Sequence, residues 1–329
     1  MDFSLDDEQR ELAATVRSLL DKRADSAAVR AAATSDTGYD PALWSALAEQ
    51  VGVAALAVPE EYDGVGASFF ETAVVLEELG RSLAPSPLLA TTIATEAILA
   101  GGTEEAKQRL LPRLAAGEIG TLITDPRAVL DVEHAGIVLA VEDDDLVELA
   151  DPKTAWAESM DQTIRLGRVD LTDAPTTVIG DGRTALARAE LVTAAAAAAL
   201  AVGLCQRALD ETVAYTRERE QFGRPIGSFQ ALKHRMADLL VRTEISRSAS
   251  WAASYALAHS ADAEETALLV HTAASYALES AHLVTGEAIQ LHGGIAITWE
   301  HDAHLWFKRA HALSQLAGAP HRHRAAVAL

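Results

Sequence analysis

The feature that most constrains the fold is a long segment, Ala185–Arg217, that contains no proline and a single glycine. Six consecutive alanines, Ala194–Ala199, lie inside it. Alanine has the highest helix propensity, so this segment is predicted to form one long helix. Because alanine side chains are small, neighbouring helices can approach it closely. We expect a C-terminal four-helix bundle in which helices follow at Phe229–His259, Glu264–Leu291 and Asp302–Leu313.

Residues 1–118 also read as helices, because apolar residues recur there at helical spacing. The apolar positions from Phe3 to Leu20 predict the first helix, with a capping signal at Ser4 and Asp7. Asp40 and Pro41 predict the start of another helix. The remaining predictions are helices at Phe70–Leu79, Pro87–Leu99 and Glu104–Leu114, and a loop at Gly52–Ser68.

Residues 119–183 have the short alternating runs that are typical of strands. The predicted strands are Thr121–Thr124, Ile137–Glu142, Leu146–Ala150, Thr163–Val169 and Thr176–Ile179, with a hairpin turn at Glu142–Asp145. The predicted fold class is therefore mainly α with a small central β-domain. Its parts are an N-terminal helical domain (1–118), a short middle β-domain (119–183) and the C-terminal bundle (184–329).

Charge and cysteine content limit the partners and the compartment. A formal net charge of −21 argues against a nucleic-acid partner. The single cysteine, Cys205, excludes an intrachain disulfide and is predicted to be a small core residue. The first residues are acidic and amphipathic, unlike a secretory signal, and the longest apolar run, Ala194–Gly203, is too short to span a bilayer. We expect a cytoplasmic protein without a membrane span.

The histidines between residues 292 and 311 lack the spacing of a zinc site, so no metal site is predicted.

Two segments of the C-terminal half carry candidate ligand-binding residues. In the first, Tyr215–Gln230, three arginines surround a turn that contains Gly223 and Pro225. Guanidinium groups match phosphate oxygens in geometry, so an arginine-rich turn between helices suits a phosphate group. In the second, Glu287–Glu300, Gln290 precedes a pair of glycines. A ligand could lie against the protein backbone there, because no side chain intervenes.

Together these segments resemble the C-terminal domain of the flavin-dependent acyl-CoA dehydrogenases, whose signature is R-x-x-F-G followed about seventy residues later by Q-x-x-G-G. The loop at Gly52–Ser68 resembles that family's first domain, and the similarity there extends over about 118 residues. The resemblance implies an FAD cofactor and a barrel-like middle domain. It also implies that this chain contacts the flavin of a neighbouring subunit. The residues that it assigns to FAD are Arg219, Gln221, Phe222, Gln290, Gly293, Gly294 and Thr298.

The chain departs from the family pattern where the catalytic base and the flavin of its own subunit would lie. The family places its base at one of two positions, which correspond here to Thr193 and Ala317. Neither is a carboxylate, so no catalytic residue is assigned. Glu190, one helical turn before Thr193, is a candidate for a displaced base; alternatively, it belongs to the N-terminal turn of a helix, where the dipole favours a carboxylate. The flavin-contacting T-E-P-x-x-G-S-D line of the middle domain reads Thr124–Asp131 here, without its glycine and serine.

These departures resemble the short subunit of heteromeric bacterial acyl-CoA dehydrogenases. The resemblance implies an α2β2 assembly with a related chain that supplies the base and binds most of the acyl-CoA substrate. A sterol side-chain CoA ester is one substrate that the resemblance suggests. It also implies an electron-transfer acceptor. Two alternatives stay open: an active homomeric dehydrogenase that uses a displaced base such as Glu190, and a flavin-free structural subunit.

Overall fold

The computed structural model describes residues 4–172 and 174–327. Its N-terminal part is helical, as predicted. The helices in this part are α1 (Asp7–Arg23), α2 (Ser26–Ala33), α3 (Pro41–Ser45), which continues as a π-helix at Ala46–Val51, α4 (Phe69–Ser82), α5 (Leu88–Gly101) and α6 (Glu104–Ala115). The segment predicted as a loop lies between α3 and α4 and contains one short 3-10 turn, Glu60–Tyr62. The sequence did not predict α2.

The cap of α1 corrects one prediction. Asp6 caps this helix, and Ser4 does not: the Asp6 carboxylate accepts a hydrogen bond from the backbone N–H of Gln9 at 2.8 Å. The Gln9 side chain in turn accepts one from the backbone N–H of Asp6 at 3.0 Å. This reciprocal pair satisfies two backbone donors that a helix N-terminus otherwise leaves free. Phe3 lies outside the described residues.

The middle of the chain consists of two small sheets. The strands are β1 (Gly120–Ile123), β2 (Val129–Leu130), β3 (Ile137–Glu142), β4 (Asp145–Leu149), β5 (Lys153–Ala157), β6 (Leu166–Asp170) and β7 (Thr176–Asp181). One sheet has the order β1-β3-β4-β7, with β1 and β3 parallel, and the other has the order β2-β6-β5. Valines and other aliphatic residues from both sheets form one buried cluster. The predicted hairpin is confirmed, because Glu142 pairs with Asp145 across a two-residue turn.

The strand predictions failed at β5 and at the start of β6. Four of the five residues of β5 are exposed, so the strand lacks the apolar alternation by which strands are recognised. The predicted strand at residues 163–169 begins only at Leu166. The Asp161 carboxylate accepts hydrogen bonds from the backbone and the hydroxyl of Thr163, and this local turn prevents an extended strand there.

The C-terminal part returns to helix. Its elements are α7 (Gly182–Glu218), the short strands β8 (Glu220–Gln221) and β9 (Arg224–Pro225), α8 (Gln230–His259), α9 (Ala263–His292), α10 (Ala303–Ala317) and α11 (Pro320–Ala326). The predicted fold class is therefore confirmed. By length and apolar composition α7 could cross a bilayer, but 67% of its most apolar window is buried inside the protein, as in a core helix. Cys205 is buried, as predicted.

The described residues divide into two compact units. One contains residues 5–76 and 84–193, and the other contains residues 77–83 and 194–327. In the second unit α4 and α7 touch through glycine. A Cβ atom added at Gly203 would overlap the carbonyl oxygen of Glu77, and one added at Gly80 would overlap the carbonyl oxygen of Leu200. The alanine-rich sequence of α7 thus permits backbone-to-backbone packing.

Candidate functional site

The arginine-rich segment forms a tight hairpin between α7 and α8. Gln221 pairs with Arg224, so that Phe222 and Gly223 alone make the turn. Both have positive φ angles, 55° and 74°. This pair of angles defines a type I′ turn, the connection that best matches the twist of two-residue hairpins. Glycine adopts a positive φ readily, whereas phenylalanine rarely does, so the turn holds Phe222 in a strained conformation.

The aromatic side chains of this hairpin differ sharply in exposure. Phe222 is 92% exposed, so burial of its ring does not offset the strain of its backbone. Its ring meets Phe229 edge to face, with centroids 6.2 Å apart. The Arg224 guanidinium lies 4.0 Å from the Phe229 ring centre, in a cation–π contact. The hairpin therefore presents an aromatic tip and a fixed arginine at the protein surface.

The glycine segment begins where α9 ends. Gly293 terminates the helix with φ 68° and ψ −146°, a conformation open essentially only to glycine. A Cβ atom added at Gly293 or Gly294 would meet no atom within 4 Å. Free space therefore lies in front of both residues, as an approaching ligand requires. Ala296 stands where the family has a third glycine, and it is completely buried in the following 3-10 turn.

One contact joins the hairpin to the glycine segment. The Tyr215 hydroxyl donates a hydrogen bond to the His292 carbonyl oxygen at 3.2 Å. The two rings also stack, with centroids 4.5 Å apart and 30° between their planes. The His292 ring also packs against the His301 ring, with centroids 4.5 Å apart. It meets the Trp306 ring edge to face, with centroids 6.1 Å apart. No local sequence pattern predicts this ring cluster, because it joins residues 77 positions apart.

His292 is held in one tautomer. Its Nδ1 lies 2.7 Å from the Ala288 carbonyl oxygen, which can only accept, so Nδ1 carries the proton. The side chain is 4% exposed, and Nε2 is buried without a hydrogen-bond partner among the described residues. Burial is the main cause that lowers the pKa of His292. The hydrogen bond to the Ala288 carbonyl raises the pKa, and the nearby His301 imidazole lowers it. The surroundings of the ring therefore favour its neutral form.

The polar side chains assigned to the cofactor are accessible at the surface. Arg219, Gln221 and Gln290 are all exposed. Within the described part of the chain, no hydrogen bond or ion pair holds the guanidinium of Arg219 or the amide of Gln290. The Gln221 amide donates to the adjacent Glu220 carbonyl, and the Thr298 hydroxyl donates to the Ile295 carbonyl at 2.8 Å. Arg219 and Gln290 can thus bind a ligand without first breaking a contact.

The two positions of the family base hold no proton acceptor. The Thr193 hydroxyl donates to the Ala189 carbonyl at 2.7 Å, and Ala317 is the last residue of α10. Glu190 is exposed on α7. The interpretation that Glu190 belongs to a helix N-terminal turn is wrong, because α7 begins eight residues earlier, at Gly182. The helix dipole acts within the first turn and does not favour a carboxylate there.

Several side chains of the segment Thr124–Asp131 pair with each other or are buried within their own unit. Arg127 bends back onto Asp125, with a 2.7 Å ion pair. Leu130 is buried, and Asp131 is 5% exposed with a left-handed φ of 49°. Burial raises the pKa of Asp131 to about 8, although the nearby Arg165 guanidinium opposes this shift. Asp131 is therefore mostly protonated at neutral pH.

The histidines of the C-terminal half lie outside any cluster of ligand-type side chains: among the described residues, no group of three or more His, Cys, Asp or Glu could hold a metal ion. The histidines that the sequence places between residues 292 and 311 form ring contacts instead. His282 stacks on His311 with centroids 4.2 Å apart, and His304 meets Trp299 edge to face.

Comparison with known proteins gives matches at both ends of the chain. Residues 6–118 match the N-terminal domain of acyl-CoA dehydrogenases, and residues 180–328 match their C-terminal domain. Acyl-CoA dehydrogenase IpdE2 of Mycolicibacterium smegmatis is 46% identical over 319 residues, which cover 95% of this chain and 96% of that protein. The protein of the same name from Mycobacterium tuberculosis is 45% identical over 319 residues, with 95% and 94% covered.

Solved structures have the same architecture. A variant of the Tcur3481–Tcur3483 steroid ACAD superimposes with a TM-score of 0.86 and 28% identity, over 97% of this chain and 96% of that one. The ChsE4–ChsE5 complex from Mycobacterium tuberculosis gives a TM-score of 0.88 over 99% of this chain and 97% of that one. At 23% identity the second likeness concerns the fold alone.

Proposed function

This chain belongs to the acyl-CoA dehydrogenase family of flavin-dependent oxidoreductases, and from that premise we propose that it works as one subunit of a heteromeric enzyme. It contributes half of an FAD site at an interface with a related chain, and that chain supplies the catalytic base. The assembly removes two hydrogens from the α and β carbons of an acyl-CoA thioester. One contrast supports this division of roles: the two C-terminal segments keep every residue type that the family resemblance assigns to FAD, whereas both base positions lack a carboxylate.

The residues present fit a dinucleotide. Arg219 would bind the pyrophosphate, because a guanidinium fork matches phosphate oxygens. Gln221 and Gln290 offer amide donors and acceptors, and Gly293 and Gly294 leave their backbone open to a ligand. The exposed Phe222 ring offers an apolar surface to it. The redox chemistry is supplied by bound FAD, which can accept a hydride.

The proton of the α-carbon needs another acceptor. General-base catalysis requires a group that can take up a proton near neutral pH, and neither a threonine hydroxyl nor an alanine methyl can do so. The hydroxyl of Thr193 is itself committed as a donor to Ala189. We therefore place the base on the partner chain, next to the flavin that the partner's middle domain would hold.

The middle segment of this chain supports the same division of roles between the two chains. In the family, a glycine and a serine of the T-E-P-x-x-G-S-D line lie against flavin and acyl chain. Here Val129 and Leu130 take their places and are buried in the β core. Arg127 is folded onto Asp125. This segment is therefore poorly suited to hold a flavin, so the assembly would contain fewer flavins than chains.

The substrate class is proposed from similarity. The Tcur3481–Tcur3483 protein, 28% identical to this chain, is a steroid ACAD. We propose a sterol side-chain CoA ester as substrate, bound mainly by the partner chain, and an electron-transfer protein as acceptor of the electrons.

The first experiment compares this chain purified alone with the complex that it forms with a co-expressed related chain. Alone it should bind little FAD, and the complex should show the visible flavin spectrum and oxidise acyl-CoA. A homodimer of this chain with one tightly bound FAD per subunit would refute the proposal. A colourless, inactive complex would instead identify this chain as a flavin-free structural subunit.

The second experiment tests Arg219 in the complex. Losing a charged hydrogen bond costs roughly 1.5–3 kcal/mol, so Arg219→Ala should weaken FAD binding about ten- to a hundredfold. Arg219→Lys should restore only part of it, because an ammonium group cannot reproduce the fork. Arg322→Ala, which removes an exposed guanidinium on α11, outside both cofactor segments, is the control. Unchanged FAD affinity with a lowered melting temperature would make Arg219 a structural residue.

The third experiment concerns the base. Glu190→Gln should leave turnover of the complex within about threefold, since loss of a general base typically costs 10²–10⁴-fold. Thr193→Glu should not create a second active site. Loss of turnover in Glu190→Gln, with flavin content and assembly unchanged, would refute the division of labour and favour a displaced base.

A further inference from the structure

The two cofactor segments come from the ends of different helices, α7 and α9, and a single dinucleotide must meet both. Their spacing therefore has to be fixed by something other than chain connectivity. Tyr215 is positioned to fix it. Its carbonyl oxygen accepts a hydrogen bond from the backbone N–H of Arg219 at 2.9 Å. Its hydroxyl donates to the carbonyl oxygen of His292 at 3.2 Å. One residue thus binds the backbone of both segments.

His292 completes this connection from the other side. The His292 carbonyl that accepts from Tyr215 belongs to the peptide group that enters Gly293. The Gly293 N–H donates to Ile289, which fixes the other side of that peptide. The His292 ring cannot rotate freely, because Nδ1–H donates to the Ala288 carbonyl, Tyr215 stacks on the ring and His301 packs against it at a tilt.

We infer that Tyr215 and His292 are positioning residues for the dinucleotide: they hold the Arg219 hairpin and the Gly293–Gly294 backbone at one spacing, so that both bind the same ligand. The inference rests on the proposed function. Stacking alone would allow the two rings to slide past each other. The hydrogen bond from the Tyr215 hydroxyl to the His292 carbonyl fixes the distance between the two segments. Preorganisation of this kind lowers the entropic cost of ordering a binding site around its ligand.

The expected effects differ between two mild variants. Tyr215→Phe keeps the ring stack and removes only the hydroxyl, so FAD affinity of the complex should fall about three- to tenfold. His292→Phe keeps a ring of similar size and removes the bond to Ala288, and a similar or larger loss is expected. Tyr255→Phe is the matched control, because Tyr255 also packs on a histidine, His259, with centroids 4.5 Å apart, on α8.

The experiment titrates FAD into the apo complex of both chains and records flavin fluorescence, the visible circular dichroism of the bound flavin, and the unfolding temperature of the apo complex. The inference predicts weaker binding and an altered flavin dichroism in Tyr215→Phe and His292→Phe at a temperature where the apo complexes of both variants and of Tyr255→Phe are fully folded. Wild-type affinity in both variants, while Arg219→Ala loses FAD, would overturn the inference and leave the proposed function standing. Retention of FAD by Arg219→Ala would overturn both. If FAD is lost only because the apo complexes of the two variants are already partly unfolded at the assay temperature, Tyr215 and His292 have a purely structural role and the inference is overturned.

Discussion

Asp131 should make the stability of this protein depend on pH. Its carboxyl group is 5% exposed and sits at a left-handed φ of 49°. Burial raises its pKa from 3.8 to about 8, against the opposing charge of Arg165. The substitution Asp131→Asn keeps the shape of the side chain and suits a left-handed backbone, but it cannot ionise. The variant therefore isolates the effect of this one proton.

The sign follows from the raised pKa. The folded protein holds the proton more tightly than the unfolded chain, so the contribution of Asp131 is fully present below pH 3.8 and is lost as pH rises through about 8. Between about pH 6 and about pH 8, each pH unit should lower the free energy of unfolding by about 1.4 kcal/mol. Over that range the loss is roughly 2–3 kcal/mol.

The assay is urea unfolding of wild type and Asp131→Asn at several pH values in this range, followed by circular dichroism. The stability advantage of the variant should grow by roughly 2–3 kcal/mol from the lower to the higher pH. Asp143→Asn is the control, because Asp143 is exposed in a hairpin turn with nearly the same backbone angle, φ 53°. If the curves of wild type and Asp131→Asn run parallel within about 0.5 kcal/mol, the carboxyl group is not held protonated, and the reasoning fails.

Three further perturbations probe strain, burial and packing. Phe222→Asn should relieve the positive φ and stabilise the chain by about 0.5–1 kcal/mol while weakening FAD binding by the complex, whereas lower stability would show that the ring supports the fold. Arg188→Ala would leave the buried carboxylate of Glu96, now 2.7 Å from the guanidinium, without its partner and should cost about 3–5 kcal/mol. A loss below about 1 kcal/mol in chemical unfolding would mean that the pair behaves as an exposed one. Gly203→Ala should cost about 3 kcal/mol or more, whereas Gly286→Ala, at a helical glycine with room for a methyl group, should gain up to about 1 kcal/mol. Equal melting temperatures for these two alanine variants would contradict the close helix packing.

The helical architecture was accessible from sequence because its signals are local. The alanine-rich segment lacks proline, and α7 extends the predicted helix by only three residues at its start and one at its end. The interpretation of Glu190 as an N-terminal residue did not fit this predicted helix. A helix that begins at Ala185 already places Glu190 in its second turn, and α7 begins still earlier, at Gly182.

The candidate site was only partly accessible. Arg219, Gln290 and the two glycines are recognisable as a motif, but their relation depends on the Tyr215–His292 contact, which joins positions far apart in sequence. The hairpin had a usable signal: Phe222 and Gly223 stand between two residues that can pair, and glycine at the second position is typical of a type I′ turn. A phenylalanine at the first position is atypical, so the sequence predicted a turn around Gly223 and Pro225 but not its two-residue hairpin form.

The glycine contacts between α4 and α7 have a consequence for any mutational scan of this protein. At Gly80 and Gly203 even a methyl group would collide with a backbone carbonyl, so nearly all substitutions there should be depleted. Such a profile is normally taken as the mark of an active-site residue. Here it would record only the distance between two helix axes, and the intolerance would persist in variants that have already lost Arg219. Comparing the scan in wild-type and Arg219→Ala backgrounds would therefore separate positions that serve the cofactor from positions that only let two helices touch.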